Sequence, residues 1–178
     1  MMTTADDTRT RILAAAQELF AERGYALTSL ADIAAAVGLT KTAVAYHFHP
    51  KDRLAAELLA PAADDMLTLL GADFGGDRRA TVEALVGFVV RHRAVLRLLM
   101  EDIGRADDAP PGSTGEAIRT FRDEVLAKLI GPDPDDEARI RGWAVLGALQ
   151  WGVVHTMDLP PERVHESLLR ATLAIEEL

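Results

Sequence analysis

Apolar residues recur along nearly the whole chain at spacings of three and four, and no stretch shows the sustained apolar/polar alternation of a half-buried strand. The pattern predicts an all-α protein of about nine helices. The first, from about Asp7 to Arg23, carries Ile12, Leu13, Ala16, Leu19 and Phe20 as one stripe and stops at Gly24, the residue type that most readily takes a left-handed cap. Thr28-Ser29, with Asp32 three residues after Ser29, predicts a capped start for a short helix whose inner side is Leu30, Ile33, Ala34 and Val37. Gly38 ends that helix, and Thr40 caps a third from Lys41 to Tyr46. Two short helices joined only by Gly38-Leu39-Thr40 predict a helix-turn-helix.

His49-Pro50-Lys51 opens a longer helix, because Pro in the first helical turn gives up a donor that has no partner there. Pro61 is expected to kink or split it. After the Gly71–Asp77 break, helices are expected at about 78–92, 94–103, 116–130, 135–157 and 161–177. The Pro- and Gly-bearing segments 104–115, 131–134 and 159–161 separate them. The division expected is a helix-turn-helix domain over 1–50 and a helical domain over 51–178.

Composition narrows the chemistry. The chain has no Cys, which removes disulfides, thiolate nucleophiles and Cys-based metal sites. Its most apolar stretch, Trp143 to Val154, is well short of the roughly 20 residues that span a bilayer. The first residues hold no basic segment followed by an apolar one, so a cytoplasmic location is expected. The net charge of −9 is unevenly placed. Residues 1–55 hold six basic and six acidic side chains, so the entire excess lies in 56–178. A neutral N-terminal module binds nucleic acid only through locally clustered cations.

Residues 9–54 resemble the DNA-binding domain of the TetR family of bacterial transcriptional regulators. The features that carry the resemblance are Arg11-Ile12-Leu13 with Ala16 and Phe20, Gly24-Tyr25, Thr28-Ser29 with Asp32-Ile33-Ala34, Val37 to Lys41, and His47-Phe48 followed by Lys51 and Leu54. The resemblance implies a three-helix DNA-binding domain followed by a helical ligand-binding and dimerisation domain. Helix 3 then reads DNA from its N-terminal end: Lys41 donates to guanine, the Thr42 hydroxyl pairs with base edges, and the Ala43 methyl meets a thymine methyl. Ser29, Thr40, Tyr46, His47 and Lys51 are the expected phosphate contacts. Ala45 stands where the family usually has Tyr, which leaves Tyr46 as the phenol carried over.

The expected 135–157 helix is apolar on more than one side, with Ile140, Ala144, Gly147, Trp151 and Val154 on one and Val145, Leu149 and Val153 on another. The last helix repeats this with Leu168, Ala171 and Ile175. A homodimer interface is expected from Ala144, Gly147, Trp151, Val154, Leu168, Ala171 and Ile175, as the resemblance also implies. Met66, Leu70, Phe88, Met100, Phe121 and Trp143 are candidates for an apolar effector pocket, with His92 and Asp102 as polar anchors. The same apolar residues also read as plain core, and His92 as solvated surface.

The expected function is a DNA-binding regulator, a repressor released from a palindromic operator by a small molecule, without cofactor, metal, membrane attachment or enzymatic activity. Two alternatives stand beside it. One is a helical interaction protein that has lost DNA binding. The other is an all-α metal-dependent enzyme, although the chain has no His-Glu-x-x-His, phosphate-binding Gly loop or Gly-x-Ser-x-Gly elbow.

Overall fold

The computed structural model describes residues 4–25, 27–49, 51–104 and 106–176; the side chains of residues 4–6, 52, 101, 102 and 176 lie outside that description. The described residues form α1 (Thr4–Arg23), α2 (Leu30–Val37), α3 (Lys41–His47), α4 (Lys51–Gly71), α5 (Arg78–Arg91), α6 (Arg93–Leu98), α7 (Met100–Gly104), a 3-10 turn (Ala106–Asp108), α8 (Thr114–Ile130), α9 (Asp136–Val154) and α10 (Pro161–Glu176). The nine helical segments expected are present, the sixth broken into α6 and α7 at Leu99. Pro61 neither ends nor splits α4, which is continuous through it. Helix α9 stops at Val154, where His155 caps it, short of the expected 157.

The chain divides into two compact units, Met1–Ala63 and Asp64–Leu178. The division falls inside α4 rather than at its start, because the first turns of α4 belong to the small N-terminal core. Leu54 is fully buried there, and Glu57 pairs with Arg9 of α1. In this unit α1 packs on α2 and α2 on α3. Ile12, Ala16, Phe20, Leu30, Ile33, Val44 and Phe48 are buried, as the helical spacing predicts, at roughly 1.5–3 kcal/mol for each large side chain.

Local chemistry sets the helix ends of the first unit. Ser29 and Asp32 form a reciprocal capping box: the Asp32 N–H donates to Ser29 Oγ at 3.2 Å, and the Ser29 N–H donates to Asp32 Oδ2 at 2.8 Å. Gly38 closes α2 at φ 70°, a left-handed conformation that costs glycine nothing. Thr40 then starts α3 by accepting the Ala43 N–H at 3.1 Å.

In the second unit α5 packs against α8, α9 and α10. One apolar cluster joins Val82, Val86 and Val89 of α5 to Val125 and Leu129 of α8, Val145, Leu149 and Val153 of α9, and Val164 of α10. Two glycines of α9 set its spacing to its neighbours. A Cβ at Gly142 would lie 2.5 Å from Ile130 Cγ2, and one at Gly152 would lie 2.6 Å from Leu168 Cδ2. Gly147 differs: a Cβ there would meet nothing within 4 Å.

Candidate nucleic-acid interface

Helix α3 is held from within by Val44 and, at its C-terminal cap, by Phe48, both fully buried. That anchoring sends Lys41, Thr42 and Tyr46 outward, Tyr46 to 87% exposure. Ala43 and His47 are half-buried at the flanks, with the His47 ring edge-on to Tyr46 at 5.4 Å. Lys41 has no ion pair or hydrogen bond among the described residues, so its charge is available to a ligand.

The other basic groups of this unit are largely committed to structure. Arg9 pairs with Glu57 and lies 5.3 Å from the centre of the Phe48 ring. Arg11 donates to the Val37 carbonyl at 2.9 Å. Lys51, expected as a phosphate contact, is half-buried. Its Nζ donates to the carbonyls of Tyr25 at 2.8 Å and Thr28 at 3.0 Å and sits 3.9 Å from the Tyr25 ring centre. Two of its three protons thus hold the α1–α2 connection, and sequence holds no signal for a side chain whose partners are backbone oxygens.

Ser29 is exposed, but its hydroxyl donates to Asp32 Oδ2 at 2.6 Å, so its expected phosphate contact would first have to break the capping box. Those Ser29 donors hold the Asp32 carboxyl below its ordinary pKa. Thr40 caps α3 as an acceptor, which leaves its own O–H directed by no partner among the described residues. A cleft of about 440 Å³ opens beside these residues, lined by Leu27, Thr28, Ser29, Leu30, Lys41, Ala45, His49 and Lys51. His49, exposed at the end of α3, was not among the expected DNA contacts.

The effector and dimer candidates of the second unit fare unequally. Phe88 is buried, and Met66, Leu70, Met100 and Phe121 pack against the same cluster, with the Phe88 and Phe121 rings 5.4 Å apart. His92 is 8% exposed rather than solvated: its Nε2 meets Asp65 Oδ2 at 2.8 Å and its ring lies 5.0 Å from Phe88. His92 and Arg91 together hold the Asp65 carboxyl below its ordinary pKa. The Asp102 side chain lies outside the described residues. Trp143 does not face the interior; it is 48% exposed, with the Arg122 guanidinium 5.3 Å from its ring centre.

Three of the expected interface residues turn inward. Val154 is buried in the core, Leu168 packs on Gly152 and that core, and Ile175 packs on the core as well. Ala144, Ala171 and Trp151 are exposed and Gly147 is half-buried. Ile140 at 69%, Trp143, Trp151 at 57% and the small Ala144 form one outward apolar stripe of α9.

A two-helix reading unit with a solvated second helix, followed by a separate α-helical unit, defines a helix-turn-helix regulator as a class. Residues 12–58 match the bacterial regulatory proteins of the tetR family. The whole chain is 38% identical to the HTH-type transcriptional repressor Rv3405c of Mycobacterium tuberculosis, across 84% of that protein. The chain belongs to the TetR family. It is also 40% identical over 90 residues to the HTH-type transcriptional repressor KstR2 of Rhodococcus jostii, a match that spans 46% of this chain and 44% of that relative. The TetR family regulator PfmR from Thermus thermophilus shares the fold, with a TM-score of 0.64 and 24% identity over 98% of this chain and 96% of that one.

Proposed function

We propose that this TetR-family protein is a DNA-binding transcriptional repressor, a homodimer on a palindromic operator, released when the second unit takes up a small apolar effector. Its activity is binding rather than catalysis, and it works in the cytoplasm, where its operator lies. The observation that carries the reading is the division of labour in α3: Val44 and Phe48 hold the helix from within while Lys41, Thr42 and Tyr46 stand free at its surface. Rv3405c and KstR2, both called repressors, support the sign of regulation.

The outward stripe of α9 supports the dimer. Two tryptophans and an isoleucine left in water are the kind of patch that a second copy covers, and Gly147 and Ala144 let helices approach. Pairing two α3 helices about 34 Å apart lets them read successive major grooves on one side of the duplex. For the effector, the Phe88–Phe121 cluster supplies apolar surface and the His92–Asp65 pair a polar anchor.

Sequencing the genomic fragments retained by the full-length protein tests the reading. A shared inverted repeat among them is the expected result. No retention above a scrambled control, even at about 50 mM salt where phosphate contacts are strongest, overturns it.

A further inference from the structure

The cleft beside α3 has a composition that the general reading does not use. Its lining, among the described residues, combines two lysines, Lys41 and Lys51, with the imidazole of His49, the carbons of Leu27, Leu30 and Ala45, and no carboxylate. Ala45 presents only a methyl group, so the space is not filled by the chain itself, and Leu27 stays 80% exposed at its rim. Cations beside bare carbon surface suit a ligand that is anionic at one end and apolar beside it. A DNA backbone unit, phosphate joined to deoxyribose, has that character, and the cleft lies next to the outward residues of α3.

We propose that this cleft seats one backbone sugar–phosphate of the bound duplex, with the His49 imidazolium as its donor, so that DNA binding takes up a proton. The inference rests on the DNA-binding reading above. Ser29 cannot serve as that donor without loss of its bond to Asp32, and Lys51 has two of its protons on backbone carbonyls. Lys41 can supply charge from the other wall. Among the described residues, the charged groups around His49 are Lys41 from α3, Lys51 from α4 and, through Ser29, Asp32 from α2. Imidazole is the side chain whose ordinary charge change falls between pH 5 and 8, so a contact made only by its cation appears as the pH is lowered. His165 of α10, in the second unit and outside the DNA-contacting residues, serves as the histidine control.

The test is a titration of the full-length protein with a random-sequence duplex of about 30 base pairs at several salt concentrations, since a phosphate contact is independent of sequence. Wild type is expected to bind about 3- to 10-fold more tightly at pH 6 than at pH 8, with a salt slope about 0.9 steeper at pH 6. H49A is expected to lose both differences and to match wild type at pH 8, H49K to bind tightly at both pH values, and H165A to keep the wild-type pH response. Equal thermal melting of the variants excludes a folding effect. A pH response that survives in H49A, or a wild-type affinity and salt slope that do not change with pH, overturns the role of His49 and leaves DNA binding standing. Failure of wild type to bind the duplex at either pH in about 50 mM salt overturns both.

Discussion

The two units of this chain spend their side chains in opposite ways. In the N-terminal unit a small core holds α1 against two short helices, and the residues of interest lie on the outside of those two, whose starts are set by side-chain caps: Ser29 with Asp32 for α2, Thr40 for α3. In the C-terminal unit α5, α8, α9 and α10 share a single large core cluster, and the effector candidates Met66, Leu70, Phe88, Met100 and Phe121 belong to it or pack against it. A function carried on an outer face is separable from packing, whereas one carried inside is built from the same residues that hold the unit together. Substitutions should therefore divide cleanly between stability and binding in the first unit and mix the two in the second.

The strongest way to break this comparison is Phe48→Ala. Its ring is fully buried, so its removal should cost about 3–5 kcal/mol, enough to unfold so small a unit, and denaturant titration read by helical circular dichroism should show an early transition. Trp151→Asp should act on assembly instead. If the α9 stripe is the dimer contact, loss of this ring should weaken association by about 2–4 kcal/mol, the range of an aromatic hot spot, with sedimentation shifting from dimer to monomer at micromolar concentration. An unchanged dimer would remove the stripe from the interface.

Lys41→Ala sharpens the comparison from the other side. An exposed lysine without an internal partner should leave melting unchanged and cost about 1–3 kcal/mol of DNA binding. If it reads guanine, the loss is confined to the operator; if it meets phosphate, operator and scrambled DNA lose alike. The smallest effect concerns pH. Ser29 donors hold the Asp32 carboxyl below its ordinary value, so the folded state binds that proton less well than the unfolded state. The stabilisation is complete above the unfolded pKa of about 4 and is lost as pH falls through the lower folded value. Ser29→Ala should flatten that acid limb of the melting curve and, by removing the α2 cap, cost about 1 kcal/mol at neutral pH.

The residues that were legible in sequence are those whose partners lie within a turn. The spacing of Leu30, Ile33, Val44 and Phe48 identifies an inner side, and Ser29, Gly38 and Thr40 mark helix ends with few alternatives. Where a helix is apolar on several sides, spacing cannot say which side faces water. Helical spacing groups Val154 with Trp151, yet the first is core and the second is surface, because the packing of α5 and α10 on α9 decides and no local pattern encodes it. The burial of His92 and the internal bonds of Lys51 escape the sequence for a related reason. The partner of His92 is Asp65, 27 residues earlier, and those of Lys51 are carbonyl oxygens 23 and 26 residues away. Trp143 shows the remaining ambiguity: an aromatic residue beside an arginine reads the same whether the pair is sealed or laid on the surface.

The Lys51 bonds carry a mechanical implication. Because one ammonium group grips both Tyr25 and Thr28, the first turn of α4 and the strand of backbone leading into α2 form a single stiff joint. Torque delivered to that turn reaches the reading head without slack. Mutants selected for altered operator occupancy should then include replacements of Lys51 as readily as of the groove-facing positions, tuning the grip by loosening the bearing on which it turns.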